Sequence, residues 1–110
     1  MEIQVLDVRL ETEEVKIRTS DSKAFRKYLD DGFSVFDRNE GTCILKRGSH
    51  VWVTIEHNGK CSTIDLKKSL SLYYKKSDNT KAYHFFKKDL EKDKIKLILN
   101  PNGYYTLVEK

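Results

Sequence analysis

Residues 6–25 read LDVRLETEEVKIRTSDSKAF, and residues 64–83 read IDLKKSLSLYYKKSDNTKAY. Both stretches open with an apolar residue, an aspartate, an apolar residue and a basic residue, and both end in Lys-Ala-aromatic. A Ser-Asp step precedes each ending, displaced by one residue between the two stretches. Such self-similarity predicts two repeated structural units. Chance is the alternative, because the identities are few and Lys, Asp and Leu are common in the chain.

The first stretch predicts a hairpin. Apolar and polar residues alternate through residues 3–10, and the change of phase at Leu6-Asp7 indicates a bulge. Glu11-Thr12-Glu13 is interpreted as a polar turn, so residues 14–19 become the returning strand.

Two helices are predicted, one after each Ser-Asp step. The first spans about 22–31, with N-cap side chains in Ser20-Asp21-Ser22 and a left-handed cap at Gly32. The second spans about 79–92, with Asp78 or Asn79 as its cap. Its apolar stripe consists of Ala82, Phe85, Phe86 and Leu90.

The remaining apolar segments predict further strands. Asn58-Gly59 is a strong hairpin signal, Gly103 suits a turn with a glycine bulge, and Arg47-Gly48-Ser49 is interpreted as a break. The predicted strands comprise residues 33–36, 42–45, 51–56, 61–66, 94–99 and 104–109.

Residues 67–76, KKSLSLYYKK, fit two structures. Leu66, Leu70, Tyr73 and Tyr74 have helical spacing, whereas Leu70, Leu72 and Tyr74 alternate as in a strand. Because this stretch matches the hairpin strands of the first copy, the repeat favours a strand over 70–76.

These elements predict one α+β domain over residues 1–110, with a mostly antiparallel sheet and two helices. The order is ββαββ twice, in sub-repeats 3–47 and 61–110, with residues 51–56 as an added strand between them. At 110 residues the chain is long enough for a single core.

Positive charge is concentrated in the second part of the chain. Residues 1–48 carry nine Lys or Arg and ten Asp or Glu, a net of −1, whereas residues 49–110 carry twelve Lys and seven Asp or Glu, a net of +5. All five arginines lie in the first part. Lysine contacts phosphate diffusely, while the arginine fork is better suited to base edges. If the second part binds nucleic acid, we expect little sequence preference.

The outer faces of both helices are predicted to be basic, and tyrosines that can stack on single-stranded bases interleave with the lysines. Trp52 lies between two core-facing valines and is therefore predicted to be exposed. The alternative is an ordinary solvated helix face, which runs of charge usually form. The predicted nucleic-acid-binding residues are Lys67, Lys68, Tyr73, Lys75, Lys76, Lys81, His84, Lys87, Lys88, Arg26, Lys23 and Trp52.

The sequence predicts no catalytic constellation, metal site or cofactor motif. His50, His57 and His84 are scattered, without metal-ligand spacing. His57 with Cys61 at a hairpin tip is a weak candidate for a base and a nucleophile. Cys43 and Cys61 are predicted to be reduced and partly buried, with a disulfide as the minority alternative.

The chain has the features of an intracellular protein. Its longest apolar windows are too short for a membrane span, and its first residues, MEIQVLDVRLE, are acidic where a signal peptide is basic. We therefore expect a cytoplasmic location and no membrane partner.

Three classes of function are considered. The first is non-enzymatic, low-specificity binding of single-stranded DNA or RNA, favoured by the lysines and tyrosines of the second part. The second is a protein-binding inhibitor or regulator, for example one of viral or mobile-element origin that acts on a host enzyme; its partner would present an acidic protein surface. The third is a small enzyme such as a nuclease. A homodimer through an edge strand, Lys94–Leu99 or Tyr104–Val108, is a further hypothesis. The alternative is that lysines near these strands block such pairing.

Overall fold

The computed structural model describes residues 3–110, and within that range it contains six strands and three helices. In chain order the elements are β1 (Gln4–Arg18), α1 (Ser22–Asp30), β2 (Ser34–Asn39), β3 (Thr42–His57), β4 (Lys60–Asp65), α2 (Lys67–Tyr74), α3 (Asn79–Glu91), β5 (Ile95–Leu99) and β6 (Tyr105–Glu109). The predicted α+β class with antiparallel strands is confirmed, but there is one more helix than predicted.

One long strand, β3, organises the larger sheet. β1 runs antiparallel to nearly all of β3, while β2 pairs with the first part of β3 and β4 with the second part. β5 and β6 form a separate antiparallel pair. The predicted turn between β3 and β4 is confirmed, because Asn58 and Gly59 have positive φ angles of 54° and 77°.

The predicted turn at Glu11-Thr12-Glu13 and the predicted break at Arg47-Gly48-Ser49 are both wrong. The two segments face each other across β1 and β3, and both strands continue through them. The register changes from Glu11 opposite His50 to Thr12 opposite Gly48. Ser49 is therefore an extra residue on β3, a β-bulge.

The Ser49 bulge reverses which face of the sheet the apolar residues occupy. Arg47 lies over the ring of Phe33, 4.5 Å from its centroid, on the side of α1. Gly48 is so close to α3 that a Cβ there would lie 2.8 Å from Thr80 Oγ1. Apolar side chains before the bulge therefore pack toward α1, and those after it pack toward α3 on the opposite face.

The same change of face explains why β1 resembles two strands in sequence. In residues 7–11 of β1 the partly buried apolar residues have even numbers, Val8 and Leu10. In the last part they have odd numbers, Val15 and Ile17. This change of phase marks where the buried face of one continuous strand changes sides. The earlier phase change does correspond to the predicted bulge, since the register shifts between Val5 and Asp7.

Two clusters of buried residues result, and they differ in size. The smaller lies under α1 and contains Phe33, Cys43 and Leu45. Both cysteines are free, but Cys61 is exposed rather than partly buried. The larger lies between the second half of β3, α2, α3 and the β5–β6 pair. Among the described residues its buried members are Ile3, Val51, Val53, Ile55, Leu66, Leu70, Ala82, Phe86, Ile95, Leu97 and Leu107.

Residues 67–74 form α2, so the predicted strand over 70–76 is wrong. Leu66 and Leu70 are buried one turn apart, and Tyr73 packs against the same cluster one turn further on. A strand would also have buried Leu72, which is 80% exposed. The helical spacing of the apolar residues therefore decided the structure.

The structure shows no repeat. Residues 9–18 belong to a strand, whereas the matching residues 67–76 are mostly helical. The two stretches share a helix start, because the side chain of Asp21 accepts a hydrogen bond from Ala24 N–H at 3.1 Å and that of Asp78 accepts one from Thr80 N–H at 2.9 Å. The one-residue displacement turns the Lys-Ala-aromatic motif by about 100° relative to the cap.

Candidate nucleic-acid interface

The predicted binding residues lie in three separate places. Lys23 and Arg26 are exposed on α1, beside the smaller cluster. Trp52 lies on β3, on the face opposite Val51 and Val53. The other nine lie on the helical hairpin, which we define as α2, α3 and their flanking residues through 92. They are Lys67, Lys68, Tyr73, Lys75, Lys76, Lys81, His84, Lys87 and Lys88.

The helical hairpin holds the excess positive charge of the protein. Residues 67–92 contain eight lysines and three carboxylates, a net of +5, which leaves −1 for the rest of a chain whose total is +4. Within the described residues, Lys67 is the one lysine of this group that forms an ion pair, 4.0 Å from Asp65. The other seven are exposed. Exposed lysines of this kind can neutralise phosphates and release the counterions bound to them.

The outer face of α3 has the composition that its helical spacing predicted. Ala82 and Phe86 are buried on the inner face. Lys87 Nζ lies 5.4 Å from the centroid of the Tyr83 ring, which stabilises the ammonium group on the surface. The exposed residues of the outer face include Lys81, His84, Lys87, Lys88 and Glu91.

The tyrosines of α2 hold the helical hairpin together. The Tyr74 hydroxyl donates a hydrogen bond to Asp89 Oδ2 at 2.7 Å, and burial together with that carboxylate raises the pKa of Tyr74. Tyr73 packs edge-on against Tyr74, with ring centroids 4.8 Å apart. Partial burial and the charges of Glu109 and Asp89 raise the pKa of Tyr73. The acidic groups beside both tyrosines disfavour phosphate there.

Phe85 is an exposed aromatic residue of the helical hairpin, and its predicted place in the buried stripe is wrong. Its side chain is 45% exposed. Tyr74 stacks against it, with centroids 5.7 Å apart and ring planes 22° apart. Lys76 Nζ lies 5.9 Å from the Phe85 centroid. An exposed ring among lysines can stack on a base while the lysines contact the flanking phosphates.

A second group of polar side chains surrounds His50, on the same face of β3 as Trp52. His50 Nδ1 lies 2.8 Å from Asp65 Oδ2, and His50 Nε2 lies 3.9 Å from Glu11 Oε2. The rings of His50 and Trp52 are 5.2 Å apart. Trp52 Nε1 donates a hydrogen bond to Glu11 Oε2 at 3.2 Å, so Trp52 is held by the protein and is only partly exposed.

Asp65 holds His50 in place. Asp65 Oδ1 accepts hydrogen bonds from the backbone N–H groups of Val51 and Lys67, the latter at the start of α2. Partial burial acts to raise the pKa of Asp65, but the hydrogen bonds from His50 and from these N–H groups outweigh it and hold the pKa below its usual value. An ionised Asp65 favours the tautomer with hydrogen on His50 Nδ1, which leaves Nε2 as the basic nitrogen.

A polar cavity of about 310 Å³ adjoins His50. Arg47 and Lys67 line it together with Glu13 and Asp31, so its wall carries both signs of charge. The sequence contained no signal for this group, because His50 and Asp65 are brought together by the pairing of β3 with β4.

Within residues 3–110, no group of three or more His, Cys, Asp or Glu side chains is arranged to bind a metal ion. No helix in that range is long and apolar enough to cross a membrane. Comparisons with protein-family models, curated proteins and solved structures find no significant match for the chain.

Proposed function

We propose that the protein binds single-stranded nucleic acid through the helical hairpin, with little sequence preference. The observation that carries the proposal is the distribution of charge, a net of +5 on residues 67–92 against −1 on the remainder. By net charge, a polyanion is attracted more strongly to the hairpin than to the rest of the chain.

In the proposed complex, lysines of α2 and α3 contact phosphates, and the exposed part of Phe85 stacks on an unpaired base. The need for an unpaired base favours single strands over duplexes. The hairpin contains no arginine, so it lacks the fork that reads the edge of a guanine. Binding therefore depends on the backbone and on stacking, which both tolerate any sequence.

Fluorescence anisotropy with labelled oligo(dT), oligo(U) and a duplex, titrated with salt, tests this proposal. The double variant Lys81→Glu/Lys88→Glu is expected to bind at least about tenfold more weakly, with a salt slope smaller by about 1.4, because two phosphate contacts are lost. Lys23→Glu/Arg26→Glu on α1 makes the same change in net charge and is the matched control. It is expected to change the affinity by less than about threefold, since both residues lie on α1 and not on the hairpin, and salt screens exposed charges that do not contact the ligand.

Phe85→Ala separates stacking from charge. It is expected to weaken binding by about 1–3 kcal/mol while leaving the salt slope unchanged. Absence of binding at low salt contradicts the proposal. Equal losses in the two double variants also contradict it, because they would show that binding depends on net charge and not on the hairpin. A protein partner that remains bound after nuclease treatment of an extract supports an acidic protein surface as the ligand instead.

Acid–base catalysis at His50 is a second candidate function, favoured by the 2.8 Å contact between His50 and Asp65. In RNA, a base that removes the proton of the 2′-hydroxyl allows its oxygen to attack the adjacent phosphorus without a metal ion. His50 Nε2 takes that proton, the bond from phosphorus to the 5′-oxygen breaks, and a proton from the imidazolium passes to the leaving oxygen. The products are a 2′,3′-cyclic phosphate and a 5′-hydroxyl.

Incubation of labelled RNA in the presence of EDTA tests this chemistry. Cyclic phosphate products are expected from the native chain, with a loss of about 100-fold or more in His50→Ala. An oligonucleotide with 2′-deoxyribose at the cleaved position is the control and should remain intact. Cleavage that persists in His50→Ala, or no cleavage by the native chain, removes this function and leaves the binding proposal standing.

A further inference from the structure

The larger sheet is open on both sides within residues 3–110: β1 forms one outer edge, and the shorter strands β2 and β4 form the other. The outer edge of β1 is the longer continuous one. The strand is fifteen residues long. Free strand edges bind further strands through their backbone N–H and C=O groups.

Hydrogen bonding to β3 determines which residues face this edge. Thr19 N–H donates to the carbonyl oxygen of Gly41 at 3.1 Å, at the end of the ladder between β1 and β3. In an antiparallel ladder, alternate residues direct their backbone groups to the same neighbour. Val15 and Ile17 are therefore bonded to β3 as well. The residues whose backbone groups point to the free edge are Thr12, Glu14, Lys16 and Arg18.

We propose that a second copy of this chain pairs with the free edge in antiparallel orientation, around a two-fold axis at Val15. A two-fold axis perpendicular to the sheet keeps each face on the same side, so outward residues pair with outward residues. With the axis at Val15, Glu14 lies opposite Lys16 of the second copy, and Lys16 lies opposite Glu14 of the second copy.

The charges of β1 select this register over its neighbours. An axis at Glu14 places that carboxylate opposite itself, and an axis at Lys16 places two ammonium groups opposite each other. Like charges in directly opposite positions are destabilising, whereas opposite charges stabilise the pair. The axis at Val15 gives two opposite-charge pairs and no like-charge pair. On the other face, Val15 meets the same residue of the second copy and extends the smaller cluster.

Sedimentation equilibrium of charge-swapped variants tests the dimer. Glu14→Lys and Lys16→Glu each convert both opposite-charge pairs into like-charge pairs, and each is expected to raise the dimer Kd at least about tenfold. An equal mixture of the two variants has opposite charges at both pairs, so heterodimers with nearly native affinity are expected. Both side chains are exposed, and circular dichroism checks that each variant is folded.

Lys60→Glu is the control, because this exposed residue lies on β4, on the side of β3 away from β1, and its substitution is expected to leave the Kd unchanged. A native chain that stays monomeric up to about millimolar concentration overturns the proposal. A native-like dimer in both single variants, or a mixture that does not associate, also overturns it. The assay contains no nucleic acid, so its result is independent of the proposed binding function.

Discussion

The two ends of the larger sheet are covered on opposite faces and to different extents. Around the second half of β3, the helical hairpin and the β5–β6 pair enclose the larger cluster. Around the first half, the opposite face is covered by α1, and the smaller cluster holds three buried residues of the described chain. Correspondingly, α3 buries Ala82 and Phe86, whereas α1 buries no side chain completely.

The comparison separates two causes of helix stability. α1 and α3 begin with the same kind of aspartate cap, yet they are surrounded by different amounts of apolar surface. A cap contributes about 1 kcal/mol wherever it occurs. A large apolar side chain contributes about 1.5–3 kcal/mol only if the surroundings bury it fully. The larger cluster is therefore expected to dominate the free energy of unfolding.

The largest effect is expected from matched phenylalanines in the two clusters. Phe86→Ala removes a fully buried side chain from the larger cluster and is expected to lower the free energy of unfolding by about 3–5 kcal/mol. Phe33→Ala, in the smaller cluster, is expected to cost less, about 3 kcal/mol, because the smaller cluster is less enclosed and can collapse around the lost ring. Urea unfolding followed by circular dichroism measures both. Equal costs would show that the two ends are equally well packed.

Gly48→Ala tests the place where the two ends meet. The added methyl group would lie 2.8 Å from Thr80 Oγ1 and 3.2 Å from Leu10 Cδ1, so α3 must shift away from β3. We expect a loss of about 1–3 kcal/mol in the free energy of unfolding. Thr80→Ala removes the closest atom, and the double variant should recover part of the loss. If Gly48→Ala has the same free energy of unfolding as the native chain, then α3 does not pack closely against β3 at the bulge.

The helix caps should contribute similar amounts at the two ends. Asp21→Ala and Asp78→Ala are each expected to cost about 0.5–2 kcal/mol, since each removes an acceptor for backbone N–H groups in the first turn. Chemical denaturation of both variants measures the costs, with Asp21→Asn and Asp78→Asn as controls that keep a capping side chain. If Asp78→Ala lowered the free energy of unfolding as much as Phe86→Ala does, the contributions of the cap and of side-chain burial to the stability of α3 could not be told apart.

The smallest effect is expected at Asp65, in acid. Its pKa lies below the ordinary value of 3.8 in the folded chain, so the unfolded chain binds the proton more readily. Asp65 therefore contributes stability above its ordinary pKa, and that contribution is lost as the pH falls through the folded value. Urea midpoints between about pH 5 and pH 2 should fall less steeply in Asp65→Asn than in the native chain. Asp37→Asn, which removes an exposed carboxylate from β2, is the control for the loss of one negative charge.

Much of the local structure was predictable from the sequence. The spans of α1 and α3, the Asn58-Gly59 turn and the β5–β6 hairpin agree with the prediction, because each depends on residues close together in the chain. The similarity of residues 6–25 and 64–83 predicts a strand over 70–76, and that prediction is wrong because the two stretches do not form a repeat. A shared capping aspartate accounts for the part of the similarity that the structure retains.

The candidate sites were predictable to different degrees. The basic outer face of α3 followed directly from helical spacing. The exposure of Phe85 did not, although the adjacent pair Phe85-Phe86 was a signal, because only one of two neighbouring residues can lie at the centre of the inner face of a helix. The His50–Asp65 contact had no local signal at all, because the two residues are fifteen positions apart and meet through strand pairing.

By itself the sequence determined where α1 and α3 begin, where two hairpins turn and where the charge is concentrated, because these properties depend on neighbouring residues. Only the tertiary structure decided that β1 and β3 are continuous, that their two halves bury opposite faces, and which polar groups surround His50. A one-residue bulge at Ser49 exchanges the two faces of a strand, and its position depends on pairing between residues far apart in the chain.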